Sequence, residues 1–100
     1  MDYIVLSKVE NLEEVISNFA SELDEYLNDM SSEIGNLNEI LVNLGNSWSG
    51  SEYDSFVERT IKKLNDIKEE IKKGKNLKED LDESAEDYKI LRNLLKKASE

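Results

Sequence analysis

The chain has 100 residues, with 23 acidic and 13 basic side chains and no cysteine, histidine or proline. Without thiols or imidazoles there is no disulfide frame, no thiolate or histidine metal site and no histidine-based catalytic triad, so neither an enzyme nor a cofactor is expected. A net charge of −10 speaks against nucleic acid and anionic lipid as partners, while 36% charged and 38% hydrophobic residues without proline suit long amphipathic helices.

The opening apolar run, Tyr3-Ile4-Val5-Leu6, is too short to span a membrane and has neither a basic start nor a cleavage-site pattern. No integral membrane segment and no secretory signal peptide are expected, and any export would use another route. Ser7 and Glu10 then form a capping-box pattern, which predicts that the first helix starts near residue 8 and runs to 44. Over that stretch Val9, Ile16, Leu23, Met30, Leu37 and Leu44 recur every seven residues, as one seam of a packed helix does. Leu12, Phe19, Tyr26 and Ile40 fill the alternate core position. Leu27, Ile34, Leu41 and Trp48 widen the stripe beyond what one partner helix covers. Gly35 interrupts the pattern without breaking it.

Gly45-Asn46-Ser47 ends the helix with a glycine-led signal, and Ser49 with Glu52 offers a second capping box flanked by Trp48 and Tyr53. Residues 45–50 therefore read as the elbow of a helical hairpin. The second helix is predicted over 51–98, with Tyr53, Phe56, Val57, Thr60, Ile61, Leu64, Ile67 and Ile71 on its apolar side. Its spacing slips by three at Gly74, and Asn76 with Glu79 offers another capping box, so the pattern fits either a bend or short break at Gly74, with a hinge as its functional form, or a register correction in a continuous helix. The seam then resumes through Leu77, Leu81, Ser84, Tyr88, Leu91, Leu95 and Ala98.

The predicted fold is all-α, an antiparallel helix-turn-helix hairpin forming one domain over 1–100. Two long helices bury little surface alone. Dimerisation into a four-helix bundle is expected, with Leu23, Leu27, Met30, Ile34, Leu37 and Leu41 as the interface. Charge is divided unevenly. Residues 1–50 carry ten acidic side chains against Lys8, a net of −9, whereas 51–100 carry thirteen against twelve basic, a net of −1. Such a surface is either a solvated acidic face or one suited to a less acidic partner.

A chain of about this length with Trp48-Ser49-Gly50 between two heptad-bearing helices, followed by Ser51, Tyr53 and Phe56, resembles the Trp-X-Gly (WXG) family. That family comprises the early-secreted-antigen-like small proteins of the type VII (Esx) secretion system. The resemblance implies a secreted substrate, or an adaptor of a larger toxin with an LXG-type N-terminal helical domain, released without a signal peptide after a cytoplasmic stage. It implies a homodimer or a heterodimer with another hairpin, and contact of the turn at Trp48 and Gly50 with the secretion machinery. One departure stands out. Family substrates often carry a tyrosine followed four residues later by an acidic residue, and Tyr88 is followed there by Arg92, Tyr26 by Met30 and Tyr53 by Val57. Either a partner carries the export signal or the tail uses a degenerate form. A reading outside the family is a cytosolic acidic coiled-coil regulator or scaffold.

Overall fold

The computed structural model describes residues 3–99 and contains two helices, α1 (Tyr3–Leu44) and α2 (Ser51–Ser99), joined by residues 45–50 as an all-α helical hairpin. The chain forms two compact units, Met1–Glu25 with Lys75–Glu100, and Tyr26–Gly74. Each contains one segment of α1 and one of α2.

Helix α1 is already helical at Tyr3, so it begins earlier than the Ser7–Glu10 signal suggested. Ser7 lies inside the helix, exposed, while Leu6 is half-buried and Val9 is buried. A capping box contributes on the order of 1 kcal/mol, comparable to what Leu6 gains from even partial burial at about 0.8 kcal/mol per buried methylene. With no proline or glycine among residues 3–8 to stop it, the helix extends through the cap.

In the unit Tyr26–Gly74, the seam between the helices is made by Leu27, Ile34 and Leu41 from α1, only 5, 5 and 8% exposed, with Leu64 and Ile71 from α2. Leu27, Ile34 and Leu41, expected at a dimer interface, lie in the hairpin's own core. Of the other three, Leu23 and Met30 are half-buried and Leu37 is 45% exposed. The reason is geometric. Rows displaced by four residues lie side by side on a helix, so a stripe this wide does not reveal which row turns inward.

Helix α2 runs unbroken through Gly74. The three-residue slip in its pattern is absorbed in packing: a β-carbon on Gly74 would lie 2.8 Å from Leu27 Cδ2 and 3.0 Å from its Cδ1. Gly74 is thus the recess into which Leu27 fits, the expected break is absent, and Asn76 starts no new helix.

In the other unit the core is thinner, with Val9 and Ala20 buried and α2 contributing half-buried Leu81, Ala85, Tyr88 and Leu95. Charge pairs cross between the segments here. Lys75 Nζ lies 3.0 Å from Asp24 Oδ1, Arg92 Nη1 2.7 Å from Glu13 Oε2, and Lys96 Nζ 3.6 Å from Glu10 Oε1. Partners rise along one helix as they fall along the other, which is the antiparallel register.

Candidate interaction surface and the aromatic turn

The turn is built from backbone hydrogen bonds that satisfy the last carbonyls of α1. Gly45 N–H is shared between Leu41 and Val42 carbonyls at 3.3 and 3.2 Å. Asn46 N–H donates to Asn43 O at 3.1 Å, and Ser47 and Trp48 N–H both reach Leu44 O at 3.1 and 3.0 Å. A helix end closed in this way leaves few orphan acceptors. The chain then passes through Gly50 at φ 108°, a left-handed backbone that side-chain-bearing residues disfavour. Gly50 O accepts the Asp54 N–H at 3.0 Å, the first intrahelical bond of α2. Gly50, not Ser49, is therefore the cap residue, and the reciprocal Ser49–Glu52 pair is absent from the hydrogen bonds of the described residues. Glu52 and Asp54 sit in the first turn of α2, where the helix dipole favours negative charge.

Three aromatic residues close this end of the unit. Trp48 meets Tyr53 edge-on, with centroids 5.4 Å apart and planes at 62°, and meets Phe56 at 5.5 Å and 42°. The Tyr53 hydroxyl donates to Leu41 O at 3.0 Å, tying the start of α2 to the last turn of α1. Gly45 makes room for it, since a β-carbon there would stand 2.5 Å from the Tyr53 hydroxyl oxygen. The structure brings Trp48, Tyr53 and Phe56 together and leaves the indole 36% exposed over a shallow depression beside Ser55 and Arg59.

The second surface lies along the same unit. Tyr26 (63% exposed), Leu37 and Ile40 (59%) project from α1, and Ile67 projects from α2. Tyr26, Met30, Leu37 and Ile67 surround a groove of about 370 Å³ with Ile34 at its floor. Asp29 and Glu33 line it too, and no lysine or arginine does. Exposed apolar area gathered in one groove is unusual on a surface with no binding role. In the other unit, Leu12, Val15 and Phe19 are also exposed on α1.

The sequence had singled out Arg92 only as a departure from a tail pattern. In the structure it meets Glu13, and both side chains are largely buried, at 25 and 17% exposed. Arg92 Nε and Glu13 Oε2 lack an aligned hydrogen bond, so the contact is chiefly Coulombic. No signal in the sequence could have paired two residues so far apart along the chain. Lys78 reaches Asp82 at 2.7 Å on the same helix, and this hydrogen bond and charge raise the Lys78 pKa above the ordinary 10.5, Asp24 and Glu79 adding to it.

Among the described residues no group of three or more carboxylates could hold a metal ion, and no helix is long and apolar enough to cross a membrane. Glu69 and Glu70, and Glu79, Asp80 and Glu83, stand exposed along α2. Comparison with known proteins found no matching family model, no matching curated protein and no matching solved structure.

Proposed function

We propose that this chain is a non-enzymatic interaction protein of type VII secretion, acting as a secreted substrate or as the adaptor of a larger effector. It works by docking another helical hairpin against the outer face of α1. The observation that carries this reading is the exposed apolar row of α1, Tyr26, Leu37 and Ile40 beside half-buried Met30, in a chain that has already closed its own seam with Leu27, Ile34 and Leu41. Side chains of this size, about half exposed on one helix face, are stabilised when a second apolar face covers them, each by about 1 kcal/mol, roughly half the value of complete burial.

The aromatic turn supports the second half of the proposal. Trp48, Tyr53 and Phe56 pack on one another at the end of the hairpin, with the indole still accessible. A feature both rigid and exposed suits recognition by the export machinery. Gly50 keeps the turn tight enough for Trp48 to reach α2. Arg92 bears on the tail, because it is engaged with Glu13 and leaves no acidic residue four positions beyond Tyr88. A partner that supplies the export signal, or a degenerate form of the signal in this tail, is in keeping with that departure.

Co-purification from the native host tests the proposal, with Trp48→Ala expressed alongside. Recovery of a helical secretion partner, with Trp48→Ala retaining that partner but leaving the culture medium, is the expected result. Recovery of only cytosolic regulatory complexes, with the protein absent from the medium in either form, would overturn it.

A further inference from the structure

We infer that the groove around Tyr26, Met30, Leu37 and Ile67 takes a helix from a different chain, one with lysine or arginine beside its apolar row, and not a second copy of this protein. The inference rests on the docking reading above and names the partner's chemistry. Two observations carry it. First, the charged side chains lining the groove are Asp29 and Glu33, which stand four residues apart and so share one helix face. Second, neither they nor Glu39 makes an ion pair among the described residues, whereas Glu10, Glu13 and Asp24 of the other unit all find bases on α2. The carboxylates along this groove remain available to an incoming charge.

A second copy docked through this same unit offers two helices, and neither fits. Its α1 would bring Asp29, Glu33 and Glu39 against the same residues, with no base anywhere in 26–44 to offset them. Facing carboxylates across a contact disfavour association. Its α2 in this unit has already turned Leu64 and Ile71 inward, leaving Ile61 and Ile67 exposed. Those two are six positions apart, about 120° around a helix, and make no continuous apolar row. A helix that does fit has apolar residues three and four apart to fill the groove. It places cations one turn apart to meet Asp29 and Glu33.

The test uses the full chain and two synthetic amphipathic helices of about four heptads with leucine at the core positions, one flanked by lysine and one by glutamate. Labelled peptides are titrated by fluorescence anisotropy at low and high salt, and the protein alone is sized by light scattering at micromolar concentration. The expected result is a monomer that binds the lysine peptide roughly tenfold more tightly than the glutamate peptide. That difference should shrink in high salt and reverse in Asp29→Lys/Glu33→Lys, while Leu37→Glu abolishes binding of the lysine peptide. Circular dichroism confirms that the variants, all at exposed positions, remain helical. Equal binding of the two peptides, or a stable homodimer that Leu37→Glu dissociates, would overturn the inference while leaving α1 a docking face. Failure of both peptides to bind a monomeric protein would overturn the inference and the docking reading together.

Discussion

Alanine at the two helical glycines should act in opposite directions. Gly35 lies on exposed α1, and a β-carbon built there meets nothing within 4 Å. Gly35→Ala therefore gains the helix propensity difference, about 1 kcal/mol, at no steric cost. For a domain of this size that raises Tm by about 4–8 °C. Gly74→Ala gains the same propensity but places its β-carbon 2.8 Å from Leu27 Cδ2, 3.0 Å from Cδ1 and 3.5 Å from Cγ. Both methyls and their branch carbon lie in the way, so rotation about χ2 does not clear the clash, and Leu27 is buried with little room to retreat. Overpacking of this kind costs about 1–3 kcal/mol, which outweighs the propensity gain and leaves Gly74→Ala less stable than the parent by roughly 1 kcal/mol. Leu27→Ala alone should lose about 2–5 kcal/mol. Adding Gly74→Ala to Leu27→Ala should then stabilise, because the obstruction is gone. The assay is thermal and urea unfolding by circular dichroism of the four variants at one fixed protein concentration. A Gly74→Ala protein stabilised as much as Gly35→Ala, or a double mutant whose effects simply add, would refute the packing account of Gly74.

Gly50→Ala should lower stability by about 1–2 kcal/mol through backbone strain alone, since its φ of 108° is left-handed and its surroundings are open. Asparagine at the same position should cost less, and equal stability of wild type and alanine variant would disprove the strain. Tyr53→Phe keeps the ring stack with Trp48 and removes the donor to Leu41 O, so a loss of about 1 kcal/mol in urea unfolding is expected. Trp48→Ala forfeits two ring contacts worth about 0.5–1.5 kcal/mol each but only a partly covered side chain, so the hairpin should remain folded with Tm reduced. The Lys78–Asp82 contact holds the lysine above 10.5. A raised lysine contributes fully below its unfolded value and loses that contribution as pH climbs through the folded one. Lys78→Met should therefore leave the stability profile between pH 6 and 9 parallel to wild type, with any convergence confined to more alkaline pH.

The sequence by itself determined that this protein is helical and that its helices turn back at a glycine-led connection. Seven-residue recurrence from Val9 to Leu44, absence of proline and the cluster Gly45 to Gly50 are local properties, and local properties set helix type and stopping points. Tertiary structure decided what those helices do with their side chains. Rows such as Leu27-Ile34-Leu41 and Met30-Leu37 are equally apolar neighbours on α1, and only the approach of Leu64, Ile71 and Gly74 buried the first and left the second half-buried at Met30 and exposed at Leu37. Helix caps were overruled for the same reason: Ser7 lost to the burial of Leu6, and Ser49 yielded to the left-handed Gly50 that brings Trp48 onto Tyr53 and Phe56. The fate of charge was likewise settled at long range. Glu13 gains Arg92 and Asp24 gains Lys75 because the antiparallel register sets them opposite, whereas Asp29 and Glu33 meet no base among the described residues and remain on the rim of an apolar groove. A pattern along the chain records which residues want burial. Which of them achieve it depends on the registry of two helices whose contacting residues are far apart in sequence.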